Sequence, residues 1–401
     1  MLHIHFGAGR LGLGLVVPFF QTGPSESFIL NRTLSTTRPT GSTALTPRRR
    51  NDLLRDGSRR AYLLRQTGQG ARRQRVGYHG FFEYGEDDVE DVVRAILDRS
   101  ERCRNGVVVT ASLLSAANYR PVLQALNLLA QMRARGSVGP VCLVACENTL
   151  NAHEVFADPG LRDWIPEETR RHVLPVHALV DRVCMELEEG RDEARPAVVV
   201  RTERYGSLKL ALTPETEVFA RMLAGSRVEF TRHVAVEKQI KNWLLNGSHW
   251  LLALAAFQDS RGDAQLTLNE FLKSSAASRQ FACEVMAEMR EGIAAILRRD
   301  PAYADFVRDI DPDAYLAGAS DAILKRFLSN DDPMSRILAR FQAPTPEAPT
   351  TVEAFTERFA GRVGQPIIAY AEKMGVAPPA AMHSVESLAS LIVSGTYING
   401  A

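Results

Sequence analysis

Cysteine and lysine are the scarce residues of this 401-residue chain. The five cysteines, Cys103, Cys142, Cys146, Cys184 and Cys283, are odd in number and scattered, with no two of them two or three positions apart. A disulfide framework needs an even, patterned set, and a zinc site needs closely spaced thiolates or imidazoles, so neither is expected and no metal ligand set is assigned. Long apolar runs are also missing. Leu11 to Phe20 and Trp243 to Phe257 are the longest, both are interrupted by glycine, proline or polar residues, and both fall short of the ~20 residues that span a bilayer. The start, Met1-Leu2-His3-Ile4-His5-Phe6, has no basic leader and no apolar stretch closed by small residues, so a cytoplasmic protein without a membrane partner is expected. What is present is ordinary: 45% hydrophobic residues, 24% charged residues and a net charge of +1, which describe a globular chain of about two domains.

The first six residues read as a buried strand and run straight into Gly7-Ala8-Gly9-Arg10-Leu11-Gly12-Leu13-Gly14, after which an apolar helix is predicted. Further strands are predicted over Ser27 to Leu30, Gly106 to Thr110 and Pro140 to Ala145, with a helix over Tyr119 to Met132 between the last two. Alternating strands and helices imply a parallel, doubly wound sheet. Ala197 to Thr202 and Ser207 to Leu212 are expected to extend that sheet at its edge. From about Phe230 the strand pattern stops and helical periodicity takes over, at Val234 to Phe257, Leu268 to Leu272, Gln280 to Leu297, Asp321 to Leu328 and Val352 to Arg362. Pro344, Pro346 and Pro349 read as a connection between helices. The expected architecture is therefore an α/β Rossmann-type domain over residues 1–230 with a predominantly parallel sheet, followed by an all-α domain over 231–401.

Between Arg32 and Arg75 twelve arginines face only Asp52 and Asp56, a concentration of positive charge that the near-neutral chain shows nowhere else. Nucleic-acid binding is disfavoured because Tyr62 is the only aromatic residue available for base stacking there. A solvated insertion between strands is expected, with a contribution to binding a cofactor or substrate phosphate as the alternative.

Gly7, Gly9 and Gly12 satisfy the dinucleotide fingerprint in its required setting between a strand and a helix. Gly7 permits the tight turn, Gly9 admits the pyrophosphate to the backbone of Ala8, Arg10 and Leu11, and Gly12 lets the helix pack on the strand. About twenty residues on, the position that reads the adenosine ribose is Asn31, followed by Arg32. A carboxylate there would favour NAD; Asn beside Arg tolerates or attracts a 2′-phosphate, so NAD or NADP is expected with a lean to NADP.

Six lysines stand against 42 arginines, so a lysine within an apolar helix is a marked choice. Arginine cannot release its proton near neutral pH, whereas a desolvated lysine can act as a general base. At ~100° per residue, Lys241, Asn246 and His249 share one broad helix face. A polar face turned to water is the competing explanation; Gly247, which admits another backbone or a ligand, and the apolar surroundings favour a cleft.

Here the sequence resembles the polyol-specific long-chain dehydrogenase/reductases, the mannitol dehydrogenases among them. That family's Gly-Ala-Gly-x-x-Gly-x-Gly turn matches Gly7 to Gly14, its Lys-x4-Asn-x2-His helix matches Lys241, Asn246 and His249, its acidic-Asn pair matches Glu147-Asn148, and its Val-Asp-Arg segment matches Val180-Asp181-Arg182. The resemblance implies a metal-independent exchange of hydride between a nicotinamide cofactor and an acyclic polyol, or its phosphate as in mannitol 1-phosphate, with Lys241 as general acid/base. It further implies that Asn148 and Asn246 stabilise the oxygen of the reacting carbon, that His249 holds the substrate or orients the lysine, and that Asp181 accepts from a neighbouring hydroxyl. Arg204 could bind a substrate phosphate, and the chain length suits the sugar-phosphate branch. Plainer roles stay open: Asn148 as a loop cap, Asp181 as an ion-pair partner of Arg182, and His249 as a satisfied core residue. Two other functions compete, a β-hydroxyacid or imine dehydrogenase using Lys238 and Asn242, and a non-catalytic dinucleotide-binding regulator.

Overall fold

The computed structural model describes residues 1–33, 45–56, 60–67, 72–148, 150–193, 195–263, 265–334, 337 and 360–376. The prolines at 344, 346 and 349, and most of the helix expected over 352–362, lie outside them. The chain separates between Ala235 and Val236 into two compact units.

The first unit is built on a six-stranded sheet. With strands numbered along the chain, β1 (Leu2–Phe6) lies between β2 (Glu26–Arg32) and β6 (Val107–Ala111); β5 (Gly80–Tyr84) flanks β2, and β7 (Val141–Ala145) and β8 (Val173–Val176) continue beyond β6. Every pairing is parallel, and the order β5-β2-β1-β6-β7-β8 is that of the doubly wound Rossmann sheet. All five residues of β1, of β6 and of β7 are buried, as expected of a sheet covered on both faces. Leu2, Ile4 and Phe6 share a core with the helices Val89–Leu97 and Arg120–Ala134. His3 and His5 point to the opposite face, where His3 stacks on Phe20 of the helix Val17–Gln21 at a centroid distance of 3.9 Å. Three of the five cysteines, Cys103, Cys142 and Cys146, are buried, and all five are free thiols.

Two smaller sheets complete this unit and correct two expectations. Ala197 to Thr202 lies in β11 (Arg195–Glu203), which does not extend the main sheet. It pairs with β3 (Ala61–Thr67) and β10 (Cys184–Asp192) in a separate sheet whose other edge is β4 (Arg72–Gly77). Ser207 to Leu212 lies in β12 (Ser207–Ala211), between β9 (Ala178–Asp181) and β13 (Val228–Thr231) in a three-stranded sheet. The basic segment therefore supplies two strands and the helix Pro47–Arg55 rather than only a solvated insertion. Its charge is answered from far along the chain: Arg49 meets Glu189 at 2.6 Å, Arg65 meets Glu188 at 2.7 Å, and Arg75 meets Asp192 at 3.4 Å, all on β10.

The second unit is helical. Val234–Ile240, Lys241–Gly247 and Ser248–Asp259 follow one another without a break, and Leu268–Ser274, the long Ala276–Arg299, Pro312–Phe327 and Gln365–Met374 surround a core that includes Trp243, Leu244, Trp250, Met289 and Ile293. Among the described residues no helix is long and apolar enough to cross a membrane.

Candidate active site

The glycine turn leaves the C-terminal end of β1, where the strand order reverses between β1 and β6, the place at which open α/β sheets take ligands. Gly7 has φ +106°, and a Cβ there would stand 2.7 Å from the carbonyl oxygen of Ser112, so a side chain is excluded twice over. Gly12 is equally constrained: a Cβ would collide with His5 Nε2 and the Gly7 carbonyl and stand 2.9 Å from the Ser112 hydroxyl. Gly9 differs, because its missing Cβ meets nothing within 4 Å. No described residue fills that space, and open room beside the backbone is what a pyrophosphate requires, so the turn fits a dinucleotide. Ala8 is fully buried, Leu11 half-buried, and Arg10 exposed with its guanidinium donating to the Met185 carbonyl at 2.8 Å.

The turn continues as a π-helical stretch, Gly12–Val16, before the α-helix Val17–Gln21. Two groups that sequence reasoning overlooked hold it. The Tyr62 hydroxyl donates to the Leu13 carbonyl at 2.6 Å, and Arg182 donates to the Gly14 carbonyl at 2.8 Å and to the Glu203 carbonyl at 3.1 and 3.0 Å. Arg182 is thus a buried clamp on backbone carbonyls, and its hydrogen bonds do not go to Asp181. Burial lowers its guanidinium pKa.

Asn31, next to last in β2, has its side chain on the turn: Oδ1 accepts from Ala8 N–H at 3.1 Å and Nδ2 donates to Asn51 Oδ1 at 2.9 Å. Asn51, on the helix Pro47–Arg55, donates in turn to Glu83 at 2.7 Å, and Glu83 is also paired with Arg55. A carboxylate therefore does lie one residue removed from Asn31, on β5, although none follows it in sequence. Arg50 is half-buried, and its guanidinium donates to Asn51 Oδ1, at 3.4 and 3.5 Å, with no carboxylate partner among the described residues; burial lowers its pKa to about 10. Arg32 is exposed.

Two imidazoles lie beneath the turn. His5 Nε2 is 2.9 Å from the Gly7 carbonyl, His5 Nδ1 is 2.7 Å from Thr110 Oγ1, His3 Nε2 is 2.8 Å from the same oxygen, and His3 Nδ1 is 2.9 Å from Ser27 Oγ. Both rings are fully buried. Burial lowers the His5 pKa to about 4, against a smaller upward pull from the Gly7 carbonyl, and also holds that of His3 well below 6.5, with His5 adding to the effect. A histidine with a folded pKa below its unfolded value takes up protons preferentially on unfolding. Its contribution to stability is therefore full above the unfolded pKa near 6.5 and shrinks as pH falls through the window down to about 4. For His5 that gap corresponds to about 3 kcal/mol. Urea midpoints taken from about pH 7.5 to about 4.5 should fall steadily below about 6.5; a flat profile would mean that the imidazoles already titrate freely in the folded state.

Glu147 and Asn148 follow β7. Glu147 is buried, and its Oε1 accepts from the backbone N–H of Leu113 and, at 2.8 Å, from that of Leu114, tying the loop after β6 to the loop after β7. Asn148, the next residue, is exposed. The cap of the following helix is Asn151, which accepts from Glu154 N–H at 3.0 Å. Asp181 is buried at the end of β9 opposite Ser207, and Arg204 is exposed between β11 and β12.

In the second unit, Lys241 opens a π-helical stretch, Lys241–Gly247. A π turn holds about 4.4 residues, each advancing ~80°, so Asn246 falls ~50° from Lys241 instead of the ~140° expected of a uniform α-helix. His249, two α-helical residues later, falls ~30° away by the same reckoning. The three polar groups thus form a narrower stripe than their spacing implied. Lys241 and Asn246 are half-buried, and the Asn246 amide donates to Asn242 Oδ1 at 3.5 Å. His249 is buried, stacks on Phe327 at 4.9 Å and has Nε2 3.5 Å from a carboxylate oxygen of Asp332, which is itself only 4% exposed. Backbone bonds from Leu268 N–H to the Asp332 carbonyl, at 3.1 Å, and from Met334 N–H to the Leu266 carbonyl, at 3.0 Å, hold the main chain that bears that carboxylate. Asp332 lies 83 residues from His249 and carries no signal in sequence. Gly247 serves packing: a Cβ there would stand 2.6 Å from the Arg362 carbonyl, so the neighbour it admits is backbone.

No protein-family model and no curated protein matches the sequence. Solved structures do share its fold. Mannitol 2-dehydrogenase of Pseudomonas fluorescens, solved with NAD and D-mannitol, is 17% identical and aligns over 99% of this chain and 88% of its own with a TM-score of 0.51. A substrate-free D-sorbitol dehydrogenase is 13% identical and aligns over 93% of this chain and 80% of its own with a TM-score of 0.52. At these identities the likeness is one of fold alone.

Proposed function

We propose that the chain is an NAD(P)-dependent oxidoreductase that interconverts a polyol or polyol phosphate with the corresponding ketose, with Lys241 rather than a bound metal as the acid/base group. In this reading the first unit holds the dinucleotide on Gly7 to Gly12 and Asn31, and the second supplies the proton-transfer group. The observation that supports it is that Lys241 and Asn246 lie on one π-helical stretch, Lys241–Gly247, which runs directly into the helix bearing His249.

When bound, the nicotinamide supplies or accepts the hydride. Lys241 takes the hydroxyl proton in the oxidative direction and returns it in the reductive one. The Asn246 and Asn148 amides donate to the substrate oxygen as its negative charge grows, the role of an oxyanion hole. His249, held by Asp332, orients the lysine or the substrate oxygen, and Asp181 accepts from an adjacent hydroxyl. Arg204 is available to a substrate phosphate. The Arg50 guanidinium, without a carboxylate partner among the described residues and joined through Asn51 to Asn31, supports NADP over NAD, since a 2′-phosphate would supply its missing counter-charge.

The test is a screen of ketoses and ketose phosphates with both reduced cofactors. Fructose 6-phosphate or a close relative should be turned over, with NADPH preferred to NADH by roughly tenfold and that preference lost in Arg50→Leu. Absence of turnover on every ketose and polyol, with dinucleotide demonstrably bound, would remove the polyol assignment; an undiminished NADPH preference in Arg50→Leu would remove the guanidinium's part in it.

A further inference from the structure

We infer that His5 is a positioning residue for the dinucleotide turn, held in one orientation and one tautomer by a directed hydrogen-bond chain that crosses the centre of the main sheet. The inference rests on the proposal that this turn binds a dinucleotide.

The direction of the chain follows from chemistry. The Gly7 carbonyl can only accept, so His5 Nε2 must carry the proton in the 2.9 Å contact. A neutral His5 then accepts at Nδ1, which fixes the Thr110 hydroxyl as donor to it at 2.7 Å. With its one proton spent, Thr110 Oγ1 accepts from His3 Nε2 at 2.8 Å, and His3 Nδ1 accepts from the Ser27 hydroxyl at 2.9 Å. Each link leaves one choice, so the sequence Ser27 to His3 to Thr110 to His5 to Gly7 runs one way. Register supports it without strain: His3 lies opposite Ser27 on β2, and His5 opposite Thr110 on β6.

Three features point this chain at the turn rather than at general stability. It ends on the carbonyl of Gly7, the residue whose φ of +106° makes the turn. Gly12 packs directly on His5 Nε2, where a Cβ would collide, so the imidazole forms the floor on which the helix start rests. Ser112 Oγ, 3.3 Å from His5 Nε2, places the loop after β6 on the same ring. Fully buried polar groups are costly unless every one is satisfied, and an apolar pair at positions 3 and 5 would fill this core more simply. A fixed donor under Gly7 is what an apolar residue could not supply.

His5→Leu, His5→Gln and Thr110→Val are to be compared with the unaltered protein by direct titration with ADP-ribose and NADPH, and by kinetics at saturating ketose. Glutamine can return an amide donor to the Gly7 carbonyl. His5→Leu should weaken ADP-ribose binding by roughly tenfold or more and raise the cofactor KM in step, with kcat within about threefold, and His5→Gln should recover most of that loss. Thr110→Val, which keeps the side-chain shape and removes the relay hydroxyl, should weaken binding in the same direction and serves if His5→Leu does not fold. Long-range proton–nitrogen spectra of the unliganded protein should show both imidazoles neutral with the proton on Nε2. Unchanged ADP-ribose affinity in folded His5→Leu or Thr110→Val, an equal loss in leucine and glutamine variants, or an Nδ1–H tautomer at His5 would each overturn the inference while leaving dinucleotide binding intact. Failure of the unaltered protein to bind ADP-ribose or NADPH would overturn both.

Discussion

Lys241→Met should reduce turnover by at least ~10²–10⁴-fold while leaving the affinity of the first unit for ADP-ribose within about threefold. Methionine preserves the length and much of the packing of the lysine stem and removes the only group of the Lys241, Asn246 and His249 stripe that can shuttle a proton as an amine. Lys241→Arg is expected to be as inactive as Lys241→Met, although it keeps the charge, because a guanidinium does not give up its proton at working pH. That pair of variants separates acid/base chemistry from electrostatic attraction of a substrate phosphate, which arginine would preserve. The chain's composition sharpens the point: with 42 arginines and six lysines, a surface cation at this position would more often be arginine. Turnover above about a tenth of the unaltered rate in Lys241→Met, or substantial activity in Lys241→Arg, would place the base elsewhere, with Lys238 the next residue to replace.

Gly12→Ala and Gly9→Ala should fail in opposite ways. At Gly12 a methyl group meets the His5 ring, the Gly7 carbonyl and the Ser112 hydroxyl. None can retreat cheaply, since the ring is held at both nitrogens and the carbonyl belongs to a turn of positive φ. The expected result is destabilisation of at least about 2 kcal/mol with loss of dinucleotide binding. At Gly9 a methyl group meets no atom of the described residues within 4 Å, so stability should change by less than about 0.5 kcal/mol. ADP-ribose affinity should nevertheless fall by ~10–100-fold, because the methyl occupies the room kept for the pyrophosphate. Urea denaturation and ADP-ribose titration of the two variants check this together. A Gly9→Ala protein that binds normally would show that the open side of the turn is not where a phosphate lies.

The strands that were legible in the sequence are those whose pattern is local and uninterrupted. β1, β6 and β7 are short apolar runs closed by glycine or polar residues, and each formed where the run lies. β3 and β4 were hidden because Arg65, Arg72, Arg73 and Arg75 mask the alternation that marks a half-buried strand; Arg65 and Arg75 find their counter-charges on β10, more than a hundred residues away. The sheet to which β11 belongs was illegible for a related reason, since strand partners are set by packing and not by the strand's own residues. Of the candidate site, Lys241, Asn246 and His249 could be selected by type and spacing, but the π-helical stretch Lys241–Gly247 was not foreseen, because a π turn leaves no mark in hydrophobic periodicity. Glu147 stood within a recognised motif and received no role, and Asp332, Asn51 and Arg182 act through contacts across long separations.

By itself, the order of residues determined the glycine turn, the parallel alternation of the first unit, the helical character of the second and the identity of the one marked lysine. Each of these depends on neighbours within a few positions, where steric limits on φ and the burial of an apolar stripe already decide the outcome. Only the tertiary structure decided which strands share a sheet, that Arg49, Arg65 and Arg75 of the basic segment pair with β10, that Asn31 faces the turn through its amide, and that a buried histidine meets the Gly7 carbonyl. Those outcomes depend on pairing, desolvation and hydrogen-bond direction between groups brought together from distant parts of the chain, which no local pattern encodes.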